Sequence, residues 1–380
     1  MKVFSGNNAE TKAIKMIANK YALFKVLVLV NTEIIGKVQS IINKITEVVK
    51  CVKVLDFPKG VAEQCIISSL VRNELTEDVG LVVNFADENV LEEAKLICGD
   101  IKTMSFLTEP NFCVCLCENN CLVADYNLIG SSSNKAIADC VGKLNALAFY
   151  LIENAFNRAV LNVGLEFENV VELESIIEAL TTLPSVILKQ KLGKVLLTQM
   201  CLKLKGLINF SSFKNSCVYK LATIILSSSK YEGLTFGEGL IISNTLLFKM
   251  FRVLCGAKTL SPQVGFNYYN CDRRARKFVE RNGNRFNKFN LFIDEELQLH
   301  INNFLKIQSA FLEVLNTYED VCAINLKHFK NLHNDRGVYL NKYLKERDIV
   351  CAVSVLPEQF NVLNFATFIR NAGLLNKFNV

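Results

Sequence analysis

The chain has 380 residues, 51% hydrophobic and 21% charged, with a formal net charge of +6. Such a composition excludes a disordered chain, and so mild a charge does not by itself argue for nucleic acid. The opening segment MKVFSGNNAETK lacks the apolar core of a secretory signal, and no apolar run approaches the ~20 residues of a membrane helix. A cytoplasmic protein with no membrane contact is therefore expected, its fourteen cysteines reduced and serving as small apolar side chains.

Lys25–Val30 (KVLVLV) is a continuous run of β-branched residues and Leu, which predicts a strand covered on both faces. Asn31 and Thr32 follow it, and helical spacing then runs from Ile34 to Val49. Cys51–Leu55 reads as a second strand, Pro58 and Gly60 as a turn, and Val61–Asn73 as a second helix. Gly80–Phe85 and Asn89–Cys98 supply a third strand and helix, an alternation that predicts a parallel sheet with crossover helices. In NFCVCLCENNCLVADY, two short alternating runs flank Glu118, Asn119 and Asn120 and predict a hairpin. Ser131, Ser132, Ser133 and Asn134 form a polar hinge with capping chemistry for a long helix from Lys135 to about Asn157. Amphipathic helical spacing continues over 168–182, 185–205, 213–228, 236–254 and 292–316, and 318–380 reads as helical too. The expected architecture is an N-terminal Rossmann-like α/β domain with a parallel sheet (1–130), followed by an all-α C-terminal domain (131–380).

Three segments resemble motifs of the iron-containing alcohol dehydrogenase and dehydroquinate synthase superfamily, in its glycerol-1-phosphate dehydrogenase-like branch. Leu81–Lys95 (LVVNFADENVLEEAK) is similar to the family's strand, Gly-rich loop and helix, matching at Val90, Ala94 and Lys95. Ala136–Tyr150 is similar to the family's first long helix at Asp139, Gly142, Lys143, Ala146 and Ala148, and the preceding LVADYNLI matches a family strand at Ala124 and Asp125. Lys230–Gly237 (KYEGLTFG) matches a later family motif at Glu232 and Gly237. Order and spacing agree for all three, and together they span residues 25 to about 255. The resemblance implies NAD(P)-dependent reduction of a phosphorylated ketone, dihydroxyacetone phosphate, at a zinc or iron ion. It also implies that Asn31, Thr32, Ala86, Asp87 and Glu88 stand at the cofactor positions, Asp139 at a metal-ligand position, and Lys143 and Lys230 as candidate catalytic cations.

The departures from the family pattern carry equal weight. The Gly-rich loop admits a pyrophosphate because no Cβ blocks the backbone N–H groups; here Ala86, Asp87 and Glu88 replace it. Two like charges ~4 Å apart at an effective dielectric of about 20 repel by about 4 kcal/mol, so carboxylates there oppose a phosphate. Asp87 and Glu88 read equally as the solvated start of a helix, where its dipole favours them. Of the family's two metal-binding histidines, the first falls at Asn215 or Tyr219, depending on register, and the second at Lys230, whose ammonium has no lone pair to give. Lys230 is expected either to pair with Asp139 in place of the metal or to stand on the surface. Phe106, Leu107 and Thr108 read as the remnant of a substrate-facing loop. The chain's three histidines, His300, His328 and His333, fall beyond the ligand region and read as surface residues.

Two other constellations stand out. Cys113, Cys115, Cys117 and Cys121 resemble a zinc set, but C-x-C-x-C-x₃-C lacks a turn between ligands, so thiols filling a strand face are expected. Residues 273–288 interleave Arg273, Arg274, Arg276, Lys277, Arg281, Arg285 and Lys288 with Phe278 and Phe286, a pattern shared by RNA-binding segments and solvated helix faces. The expectation is a pseudoenzyme on a dehydrogenase fold, with NAD(P) and metal not bound. A non-catalytic interaction or regulatory protein forming a homo-oligomer is the alternative, and a polyanion or RNA binder the second. A phosphorylated small molecule is the expected ligand class, with nucleic acid disfavoured.

Overall fold

The computed structural model describes residues 2–58, 64–110, 121–164, 174–182, 190–204, 213–226, 235–261 and 296–332. The chain divides into two compact units, Met1–Ala136 with Leu188–Gly206, and Ile137–Ile187 with Leu207–Val380.

The first unit is built on six parallel strands: β1 (Lys2–Gly6), β2 (Lys25–Asn31), β3 (Cys51–Phe57), β4 (Val79–Asn84), β5 (Lys102–Phe106) and β6 (Cys121–Asp125), in the order β1-β6-β5-β4-β2-β3. Its helices are α1 (Ala9–Tyr21), α2 (Ile35–Thr46), α3 (Gln64–Glu74), α4 (Glu88–Cys98) and α5 (Tyr126–Gly130), with Thr32–Ile34 a single 3₁₀ turn. Strand periodicity sorts the core into two layers. Val26, Val28 and Val30 pack with Ala13, Ile17, Ile41 and Ile45 of α1 and α2. Leu27 and Leu29 pack on the opposite face with Ile67, Val71, Val90 and Ala94 of α3 and α4. Each fully buried Val or Leu stabilises the fold by roughly 1.5–3 kcal/mol. The predicted parallel sheet is thus present, with four additions: β1, α1, β5 and the short α5.

The predicted hairpin is corrected. Cys121–Asp125 pairs in parallel with β1 on one edge and β5 on the other, leaving no edge for an antiparallel partner. Cys121 is buried in the sheet core, while Cys113, Cys115 and Cys117 lie outside the described residues. Phe106 ends β5 and stacks on Phe85 at 4.9 Å, and Leu107 packs with Leu122, Ala124 and Ile129.

A long helix α6 (Asn134–Val160) follows, its Ala136 N–H donating to the Ser133 hydroxyl at 3.4 Å as the capping pattern predicts. Helix α7 (Gln190–Leu204) belongs to the first unit, where Leu202 packs against the cluster of Leu107, Leu122, Ala124 and Ile129. Among the described residues the second unit is all helix: most of α6, a stretch at 174–182, α8 (Cys217–Leu226), α9 (Phe236–Gly256) and α10 (Leu297–Leu332). Its core is aromatic, with Phe156 edge-on to Phe251 at 4.8 Å, Phe311 at 5.3 Å and Phe304 at 5.5 Å. His300 is not on the surface. It is 7% exposed on the buried stripe of α10 with Asn303 and Phe304, one turn away. No helix among the described residues is long and apolar enough to cross a membrane.

Candidate functional site

In an open parallel sheet, ligands settle where successive connections leave in opposite directions, outside the carboxyl ends of the strands. Here that point lies between β2 and β4, since β3 flanks β2 on the far side. Asn31 ends β2 and is 3% exposed. Its side-chain amide donates to Asp87 Oδ2 at 3.2 Å and lies 3.4 Å from the Phe57 carbonyl. The crevice is therefore spanned by a bond from the end of β2 to the loop after β4.

That loop consumes its own donors. The Phe85 N–H reaches the Leu29 carbonyl at 2.8 Å, and the Ala86 N–H reaches Asn84 Oδ1 at 3.2 Å. Asn84 Nδ2 in turn donates to the Ala86 carbonyl at 3.1 Å. Asp87 caps α4, its Oδ1 accepting from the Val90 N–H at 3.2 Å. Its two oxygens thus serve the helix terminus and the Asn31 amide, so the half-buried Asp87 is fixed by bonds rather than solvated as expected. Glu88 opens α4. Thr32 is exposed and its hydroxyl faces Asp56 at 3.5 Å. A pyrophosphate in this turn would meet a carboxylate where it needs N–H groups, and those of Phe85, Ala86 and Val90 are already engaged. The residues present do not fit a dinucleotide held in the family's manner.

The resemblance at Asp125 has a structural account. Asp125 is 3% exposed and caps α5 through Oδ1, with Asn127 N at 3.0 Å and Leu128 N at 3.4 Å. Its Oδ2 accepts from Glu10 N at 3.2 Å, in the first turn of α1. One carboxylate joins the amino ends of two helices.

In the second unit, Asp139 and Lys143 lie one turn apart on α6 and form an ion pair at 2.9 Å, 14% and 6% exposed at their side chains. The other oxygen of Asp139 accepts from the Gly237 N–H at 2.7 Å, in the first turn of α9. Helices α6 and α9 meet there through bare backbone. A Cβ on Gly142 would overlap the Gly237 carbonyl, and one on Gly237 would overlap that of Asp139. Two glycines and one aspartate singled out in the sequence thus form one crossing. Of the positions for the first family histidine, Asn215 is exposed, and Tyr219 packs on Phe236 at 4.8 Å. Lys230 and Glu232 lie outside the described residues, as does the basic run 273–288. Among the described residues no three His, Cys, Asp or Glu side chains are grouped to hold a metal ion. With Asp139 engaged by an ammonium and a backbone N–H, the donor set does not fit the metal.

Glu153, which the sequence reading did not single out, lies on α6 and is 3% exposed. Its Oε1 accepts from the Cys217 N–H at 3.1 Å at the start of α8, and its Oε2 has no hydrogen-bond partner. Burial pushes its pKa up to about 7, opposed by the thiol and backbone of Cys217. A lone Glu inside the apolar run ALAFYLIENAF was the available signal. Three residues after Cys217, desolvation holds the half-buried Lys220 below the usual lysine range.

No family model matches the chain, and no curated protein does. Solved structures do. An alcohol dehydrogenase from Oenococcus oeni is 11% identical over 100% of this chain and 97% of its own, with a TM-score of 0.57. An iron-containing alcohol dehydrogenase from Thermotoga maritima is 10% identical over 100% and 98%, with a TM-score of 0.54. A probable glycerol dehydrogenase from Sinorhizobium meliloti 1021 is 12% identical over 82% and 97%, with a TM-score of 0.51. At these identities the likeness is one of fold, and the fold of this chain is that of the iron-containing and glycerol dehydrogenase-type alcohol dehydrogenases.

Proposed function

We propose that this chain is a diverged glycerol-1-phosphate dehydrogenase-like protein that has given up metal-assisted, NAD(P)-dependent hydride transfer. The observation that carries the reading is the Asp87 carboxylate, which caps α4 and takes the Asn31 amide across the β2–β4 crevice. A catalytic member needs that turn for phosphate and a lone-pair donor set for the ion, and the described residues supply neither. The work left to such a protein is binding or regulation, and a non-catalytic interaction role is the form the proposal takes.

The test is calorimetry and thermal melting of the full chain with NADH, NADPH, Zn²⁺ and Mg²⁺, singly and in nucleotide–metal pairs, followed by turnover with dihydroxyacetone phosphate. The expected outcome is no saturable binding of nucleotide and no turnover. Saturable stabilisation by a nucleotide together with a metal would overturn the proposal.

A further inference from the structure

The first unit holds a buried ammonium whose hydrogen bond goes to a neutral group. Lys194 on α7 is 8% exposed, and its Nζ donates to the backbone carbonyl of Ser132. No carboxylate among the described residues pairs with it. Desolvation holds its pKa below the usual lysine range, as burial without a counter-charge requires. The hydroxyl of the same Ser132 is buried and makes no hydrogen bond, although the residue is only 8% exposed. Native structures leave few such groups unpaired, and each calls for a physical reason.

The third component is a helix terminus. Ser132 stands two residues before Asn134, the first residue of the 27-residue α6. The hydroxyl and carbonyl of Ser133 both take the Ala136 N–H, at 3.4 and 3.2 Å. A helix terminus of this kind carries roughly half a positive elementary charge. An ammonium, an unused hydroxyl and a helix amino end thus gather around one residue. All three are donors, and what they lack is an anion.

We propose that Ser132, Lys194 and the opening turn of α6 bind the phosphate group of a small molecule, or inorganic phosphate itself. A tetrahedral dianion accepts from several directions and matches the excess of donors better than a planar carboxylate does. This site lies within the first unit and does not depend on the loss of dinucleotide binding.

The plain structural alternative is that Lys194 caps the carbonyls that follow α5, a role in which the Ser132 hydroxyl takes no part. Titration of the full chain with inorganic phosphate, and separately with glycerol phosphate, at matched ionic strength and without nucleotide or metal, separates the two. The wild type is expected to bind saturably, with tighter binding of the ester pointing to a metabolite and equal binding to free phosphate. Ser132→Ala removes a hydroxyl that makes no bond, so the variant should fold as well as the wild type while binding about tenfold more weakly. Lys194→Met should bind about a hundredfold more weakly or not at all. Should Lys194→Met fail to fold, Ser132→Ala alone decides. Absence of saturable binding in the wild type, or unchanged affinity in Ser132→Ala, would sink the proposal.

Discussion

At the carboxyl end of the sheet, Asp87 and Asp125 spend both their oxygens on backbone N–H groups and a buried amide. In the helical unit Glu153 does so with one oxygen only, and Asn157 Oδ1, one turn along α6, and Asn244 Oδ1 are likewise unpaired. All four carboxylates, Asp139 included, serve helix amino ends, so the difference is one of completeness. Where the acceptor is fully used, the loop is held shut and offers a ligand nothing. Where it is half used, the fold retains a group whose protonation matters.

The strongest challenge to this contrast comes at the α6–α9 crossing, where close approach requires the absence of side chains as well as the Asp139–Gly237 hydrogen bond. Gly142→Ala and Gly237→Ala each drive a Cβ into backbone that has no rotamer to turn away. Each should cost more than about 4 kcal/mol, read as loss of soluble expression or collapse of the denaturation midpoint. Next comes Asp125→Ala, which strands the N–H groups of Glu10, Asn127 and Leu128. A loss of about 3 kcal/mol in urea unfolding is expected, with Asp125→Asn recovering part of it.

Glu153 sharpens the contrast through pH. Its folded pKa of about 7 exceeds the ordinary 4.5, so between those values the folded state holds more protons than the unfolded one. Stability therefore falls as pH rises through that window and levels off above about 7, by at most about 3 kcal/mol. Glu153→Gln should flatten the profile and be the more stable protein at pH 8, measured by melting temperature across pH 4 to 9. A variant as pH-dependent as the wild type would place the titration elsewhere. The smallest effect is that of Asp87→Ala, about 1 kcal/mol for a lost cap, seen as faster amide exchange in the first turn of α4.

The central strands were legible because β2, β3 and β4 are runs of β-branched and apolar residues, and the register follows from their period of two. β1 escaped because KVFSG is short, largely exposed and ends in Gly6, and β5 because Thr103 and Ser105 are polar residues buried inside it. The hairpin reading followed a real turn signal that the sheet's own pairing overrode. Asp87 as a cap could be read locally, but its bond to Asn31, 56 residues away in sequence, could not. The meeting of Gly142 and Gly237 is equally non-local, although both had been picked out as motif positions. Lys194 gave no signal at all, being one lysine among several in an amphipathic helix.

The pairing of β1 with β6, which joins Lys2 to Cys121, bears on how the protein is made. β1 cannot find its neighbour until residue 125 has also been made, so vectorial synthesis keeps this sheet incomplete until then. A nascent chain stalled before that point would present an open strand edge, and a chaperone that shields it would act on β1.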